Sequence, residues 1–169
     1  MSGGPDQALL PDAIVALARR VVEENAGIGR SIALAESCTG GLVAAALTEI
    51  PGSSSVLERG FVTYSNAAKQ EMLGVSSDII DAFGAVSIAC VYAMAQGALA
   101  RSKADVAVAI SGIAGPGGGS DAKPVGTVVF ARAARGEAKP EAELKHFGAL
   151  DRAGVRREAT LCALELLLP

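Results

Sequence analysis

The chain reads as a single α/β domain, a three-layer α/β/α sandwich built on a mixed sheet. Three observations predict this. Short apolar runs alternate with stretches of helical periodicity. Their order is helix, strand, helix, strand, helices, then three strands and a helix, which gives crossover units followed by consecutive strands. The 169 residues, half of them hydrophobic, suffice for one core, and no internal repeat or linker divides them. Aromatic residues make up only 4%, so that core is built from Ala, Val, Leu and Ile.

Residues 1–10 are expected to be disordered, with the domain occupying 11–169. Pro11 suits the first turn of a helix to about Asn25, whose stripe is Ile14, Leu17, Ala18, Val21 and Val22 and whose stop is Gly27. Ile32-Ala33-Leu34-Ala35 reads as a buried strand and Leu42 to Leu47 as a helix. Pro51 to Ser55 forms a loop, and Phe61 to Tyr64 a second strand. Asn66 caps a short helix that Gly74 ends. Ser77 to Phe83 is a further helical turn or two, and Ser87 caps a long Ala-rich helix to about Ser102. Asp105 to Ile110 is apolar on both faces and therefore central. Strands at Val125–Arg132 and Glu141–Phe147 follow, joined by an exposed connection at 135–140, and a helix from Val155 to Leu168 closes the chain.

The chemistry concentrates between the first strand and its helix, in Ala35-Glu36-Ser37-Cys38-Thr39-Gly40-Gly41. Ser37 stands at a strand-to-helix turn, where backbone N–H groups lack helical partners and can hold an anion or a developing oxyanion. In the simpler reading Ser37 or Thr39 only caps the helix. Gly40 and Gly41 at the helix start suggest a close approach to the backbone. A serine nucleophile needs a base, and the one histidine, His146, lies in a charged outer stretch. Lysine serves instead where burial lowers its pKa, and Lys69, with Tyr64 at the end of the second strand, is the candidate. Otherwise Lys69 is a solvated surface lysine. Cys38 as an alternative nucleophile is less favoured than a buried thiol.

A second segment, Gly112 to Gly119, follows the central strand, where ligands of open α/β sheets bind. It lacks GxxxxGK[ST] and no helix follows it, which excludes a P-loop and a dinucleotide fingerprint. Arg152, Arg156 and Arg157 cluster at the last helix's start, where cations do not favour the helix; an anionic ligand is one explanation and a solvated helix face the other.

Net charge of −3 argues against nonspecific nucleic-acid binding. Three scattered cysteines form no CxxC pair, which points to a reducing compartment and, with one histidine, away from a Cys/His metal site. No secretory signal or membrane-spanning run is visible, and the expected location is the cytoplasm.

Five segments in one order carry a resemblance: Ala35 to Gly41, Gly60 to Lys69, Gly84-Ala85-Val86-Ser87, Ser111 to Ser120, and Lys123 to Val128. Together they resemble the CinA C-terminal domain family, over about Ala13 to Leu167. The resemblance implies an α/β/α domain, a homodimer, and hydrolysis of the carboxamide of nicotinamide mononucleotide to nicotinic acid mononucleotide and ammonia. It implies a serine–lysine mechanism needing no metal or organic cofactor, in which Ser37, Lys69 and Tyr64 are catalytic. The family's arginine falls on Arg152, with Arg156 in reserve, although this chain has Gly148-Ala149-Leu150-Asp151-Arg152 where members typically show Gly-Asp-Arg. The N–H groups near Thr39, Gly40 and Gly41 are expected to hold the oxyanion. Gly112, Gly115 and Arg152 are expected to meet the phosphate, and Glu36 to complement the cationic ring. The alternative is a non-catalytic module that binds a nucleotide or a protein partner in a competence or DNA-damage response.

Overall fold

A computed structural model describes residues 8–169. Its elements are α1 (Asp12–Ile28), β1 (Ile32–Glu36), α2 (Leu42–Thr48), β2 (Leu57–Val62), α3 (Asn66–Leu73), α4 (Ser77–Phe83), α5 (Ile88–Ala100), β3 (Val106–Gly112), β4 (Thr127–Ala134), β5 (Glu141–His146) and α6 (Arg152–Leu166), with a 3-10 turn at Ser53–Ser55. The strands form one sheet in the order β2-β1-β3-β4-β5. β1 runs parallel to β2 and β3, and β4 is antiparallel to β3 and β5, so the sheet is mixed as predicted.

The alternation in β1 and β3 explains the layers. Ile32, Leu34, Val106, Val108 and Ile110 face one way and join residues of α1, α2 and α6, among them Val21, Leu47 and Leu164. Ala33, Ala35, Ala107 and Ala109 face the other way and join Leu73 of α3, Ile80 of α4 and Val91 and Met94 of α5. Large side chains on one face and alanines on the other let α5 lie close against the sheet's middle. Because both faces are covered, the central strands show unbroken apolar runs.

Several boundaries differ from the sequence reading. α1 continues through Gly27, and Gly29 closes it. β2 starts at Leu57, not Phe61, because an edge strand turns Glu58 and Arg59 to solvent and so hides its period. Ser65, not Asn66, caps α3, its hydroxyl accepting from the Ala68 amide at 3.0 Å. β3 takes in Ser111 and Gly112, while Val125 and Gly126 fall before β4. α6 begins at Arg152, capped by Asp151, whose Oδ1 accepts from the Gly154 amide at 2.8 Å. The expected disordered start lies largely outside the described residues; within them, Leu9 donates its amide to Glu49 at 2.9 Å and Leu10 packs on the core.

Candidate active site

The site lies beyond the C-terminal ends of the parallel strands, the usual ligand position in an open α/β sheet. β1 ends at Glu36, which is paired with Val62 of β2 and Ile110 of β3. Two further bonds extend this register into the turn: Ser37 N–H donates to the Ile110 carbonyl at 3.0 Å, and Thr63 N–H donates to the Glu36 carbonyl at 2.8 Å. Ser37 is thereby fixed at the rim, and the chain leaving β2 is carried past it into α3.

That path brings Lys69 back beneath Ser37. The Lys69 ammonium nitrogen donates to Ser37 Oγ at 3.0 Å and to the Thr63 carbonyl at 2.7 Å. Only 1% of the lysine is exposed, and no carboxylate pairs with it among the described residues. Burial therefore pushes its pKa below the ordinary lysine value, only partly offset by the neighbouring Cys90 and Cys38 thiols. The contact supplies what a serine nucleophile requires, an amine that can be neutral within hydrogen-bond reach of the hydroxyl.

Ser37, Cys38, Tyr64, Lys69, Gly112 and Arg152 line a cavity of about 160 Å³, together with Asn66, Ala85, Val86, Ser111 and Ala114. Tyr64, 62% exposed, stands just past the end of β2. Arg152 donates to the Tyr64 hydroxyl at 3.2 Å and to the Gly115 carbonyl at 2.7 Å. Gly115 thus enters the site through Arg152, without lining the cavity itself. Sequence reasoning did not single out Asn66 and Ser111 as lining residues. Both lie in stretches that carried the resemblance, and only their position at the strand ends marks them.

Glu36 is not where the sequence reading put it. Its carboxylate is 1% exposed and lies under the start of α2. It accepts from Thr39 Oγ1 at 2.7 Å, from the Val43 amide at 3.0 Å and from the Ala44 amide at 3.1 Å. A buried carboxylate on the first amides of a helix is a cap aligned with the macrodipole, and it is spent there rather than facing a ring in the cavity. Neither Ser37 nor Thr39 caps the helix; Gly41 holds that position without a side-chain bond.

The same bonds decide which amides are free. Val43 and Ala44 are taken by Glu36, Gly40 N–H donates to the Ser37 carbonyl, and Leu42 N–H to the Thr39 carbonyl. The Cys38, Thr39 and Gly41 amides donate to no acceptor among the described residues; of the three expected donors, Gly40 alone is taken. Gly40 and Gly41 have φ of 59° and 102°. Two successive left-handed residues explain these glycines, and neither lines the cavity. Cys38 is a buried thiol pushed up to about 11, chiefly by burial, which leaves it protonated at neutral pH. His146 sits on β5 with Nδ1 3.3 Å from Thr127 Oγ1 and is not among the residues lining the cavity.

A family model for the CinA C-terminal domain matches residues 14–169. The chain belongs to the CinA C-terminal domain family. It is 52% identical over 155 residues to the nicotinamide-nucleotide amidohydrolase PncC of Escherichia coli (strain K12), covering 91% of this chain and 92% of that protein. It is 56% identical over 128 residues to a CinA-like protein of Akkermansia muciniphila, of which it spans 31%. The structure superposes on that of the competence/damage inducible protein CihA from Agrobacterium tumefaciens with a TM-score of 0.92 and 49% identity, covering 95% of this chain and 97% of that one. Membership fits the five segments: four of them line the cavity beneath Ser37, and the fifth places Val125 on a neighbouring cavity that shares Ala114 and Arg152. No helix among the described residues is long and apolar enough to cross a membrane.

Proposed function

We propose that this chain is an amidohydrolase that converts nicotinamide mononucleotide into nicotinic acid mononucleotide and ammonia, with Ser37 as nucleophile and Lys69 as general base. The observation that carries this reading is the 3.0 Å contact between Lys69 Nζ and Ser37 Oγ in a pocket that disfavours the ammonium. The likeness to PncC across nearly both whole chains supports the substrate.

Neutral Lys69 takes the Ser37 proton as Oγ adds to the carboxamide carbon. The negative charge that develops on the carbonyl oxygen meets the free Cys38 and Thr39 amides. Lys69, then an ammonium, returns the proton to the departing nitrogen directly or through Tyr64, and the C–N bond breaks to leave ammonia and an ester on Ser37. Water attacks that ester with Lys69 again as base, which releases the carboxylate and restores the serine. The Thr63 carbonyl holds the lysine in place throughout.

Arg152 suits the phosphate. Its guanidinium stands between the cavity beneath Ser37 and a second one of about 520 Å³, to which it and Ala114 also belong. A ribose phosphate extending from a ring over Ser37 enters that second space, and arginine binds phosphate through charge-assisted, often bidentate bonds. Gly112 and Ala114 of the glycine-rich segment form the adjoining wall. A cytoplasmic homodimer working in pyridine nucleotide salvage goes with this reading.

The test is ammonia release from nicotinamide mononucleotide by purified protein. Ser37→Ala and Lys69→Ala each abolish it while the far-UV circular dichroism spectrum is retained. Full activity in either variant removes the dyad. Nucleotide binding without ammonia release by the native chain favours the non-catalytic module.

A further inference from the structure

The turn that carries Ser37 is held from α6 as well as from within. Arg156 Nε donates to the Cys38 carbonyl at 3.1 Å, and Arg156 Nη2 to the Thr39 carbonyl at 3.4 Å. No carboxylate pairs with this guanidinium among the described residues. Two of its three nitrogens, Nε and Nη2, donate to main-chain oxygens of the nucleophile turn. Gly40 lies against it too, since a Cβ there would stand 3.5 Å from Nη2.

Peptide planarity gives these bonds a consequence. In a trans peptide the C=O of one residue and the N–H of the next point in opposite directions. The Ser37 carbonyl is held by the Gly40 amide, so the Cys38 N–H is directed away from Gly40. The Cys38 carbonyl is held by Arg156, so the Thr39 N–H is directed away from α6. Both amides, the two that follow Ser37 directly, lack an acceptor among the described residues.

We infer that Arg156 is a positioning residue. By gripping the Cys38 carbonyl it locks the peptide plane that presents the Thr39 amide to the substrate, and by gripping the Thr39 carbonyl it fixes the plane whose Gly40 N–H holds the Ser37 carbonyl and so orients the Cys38 amide. This rests on the reading of Ser37 as the nucleophile. It separates two arginines one helical turn apart: Arg152 faces the cavity and the Tyr64 hydroxyl, whereas Arg156 acts through the backbone. The role is a transition-state one, because the carbonyl oxygen carries full charge only after Ser37 adds. Interactions made only then act on kcat and not on KM. Phosphate binding by Arg156, which also borders the larger cavity, would show instead as a rise in KM.

Arg156→Gln and Arg156→Lys test this by steady-state ammonia release from nicotinamide mononucleotide, with far-UV circular dichroism and thermal melting on the same samples. Losing one oxyanion donor typically costs about 10²–10³ in rate. A misdirected donor in Arg156→Gln is expected to lower kcat by about tenfold or more with KM within about threefold of the native value. Lysine keeps the charge but not the planar fork, and Arg156→Lys is expected to recover part of kcat. A kcat within about threefold of native in Arg156→Gln, or a loss confined to KM, overturns the inference. If Arg156→Gln does not fold, the same criteria apply to Arg156→Lys. A second readout is the rate at which a fluorophosphonate modifies Ser37, followed by intact mass, because that addition also builds charge on an oxygen. If the native chain releases no ammonia, the proposed substrate reaction fails while the labelling rate still decides the role of Arg156. An unchanged rate in the variant, or no labelling of native Ser37, overturns it.

Discussion

Replacing Lys69 with methionine should flatten part of the pH dependence of folding stability. The side chain is 1% exposed, with its nitrogen 2.7 Å from the Thr63 carbonyl and 3.0 Å from Ser37 Oγ. Burial lowers its pKa in the folded chain, while the unfolded chain keeps the ordinary value of about 10.4. Between those two values the unfolded chain binds a proton that the folded chain lacks, so stability rises with pH there, by up to about 1.4 kcal/mol per pH unit. Below the folded-state pKa the cost of burying the ammonium is present in full and constant. Above the unfolded value it has vanished. Methionine keeps the length of the stem and removes the charge, but it also strips the Thr63 carbonyl of its partner, at about 1–3 kcal/mol. That second cost does not vary with pH, so the pH profile isolates the first. The assay is urea unfolding of both proteins across about pH 6–10, followed by far-UV circular dichroism. The native chain should gain on Lys69→Met as pH rises, and the acid limb of its ammonia release should lie in the same window, since the base must be neutral. Parallel stability profiles throughout would refute the argument that Lys69 is held against its charged form.

Glu36→Gln should destabilise the fold by about 1–3 kcal/mol, because an amide cannot accept at both positions that now serve Thr39, Val43 and Ala44; chemical denaturation measures this. Gly112→Ala should cost about 1–3 kcal/mol and lower turnover, because the new methyl would stand 2.8 Å from Val128 Cγ2, 3.0 Å from Cys38 Sγ and 3.1 Å from the Thr127 carbonyl; melting temperature and ammonia release report the two effects. Cys38, with its thiol pushed up to about 11, should stay unmodified by iodoacetamide in the folded protein near pH 8 and react once urea exposes it, as peptide mass mapping would show.

The linear sequence by itself determined the layered α/β class and most elements, because those signals are local. The apolar runs of β1 and β3, the α4 span Ser77–Phe83 and the Ser87 cap of α5 each depend on neighbours a few residues away. It also marked Ser37 as a hydroxyl at a strand-to-helix turn. Elements at the sheet edge and helix ends were less legible: β2 hides its period behind solvent-facing charges, and Ser65 and Asn66 are chemically equivalent as caps until backbone angles choose between them. The partners within the site were decided by tertiary structure alone. Lys69 meets Ser37 across 32 residues, Arg152 meets Tyr64 across 88 and Arg156 meets Cys38 across 118. Packing of α3 and α6 around the strand ends sets those distances. The same packing turned Glu36 inward as a helix cap, and the local turn bonded the Gly40 amide to the Ser37 carbonyl while the Cys38 and Thr39 amides kept no acceptor among the described residues.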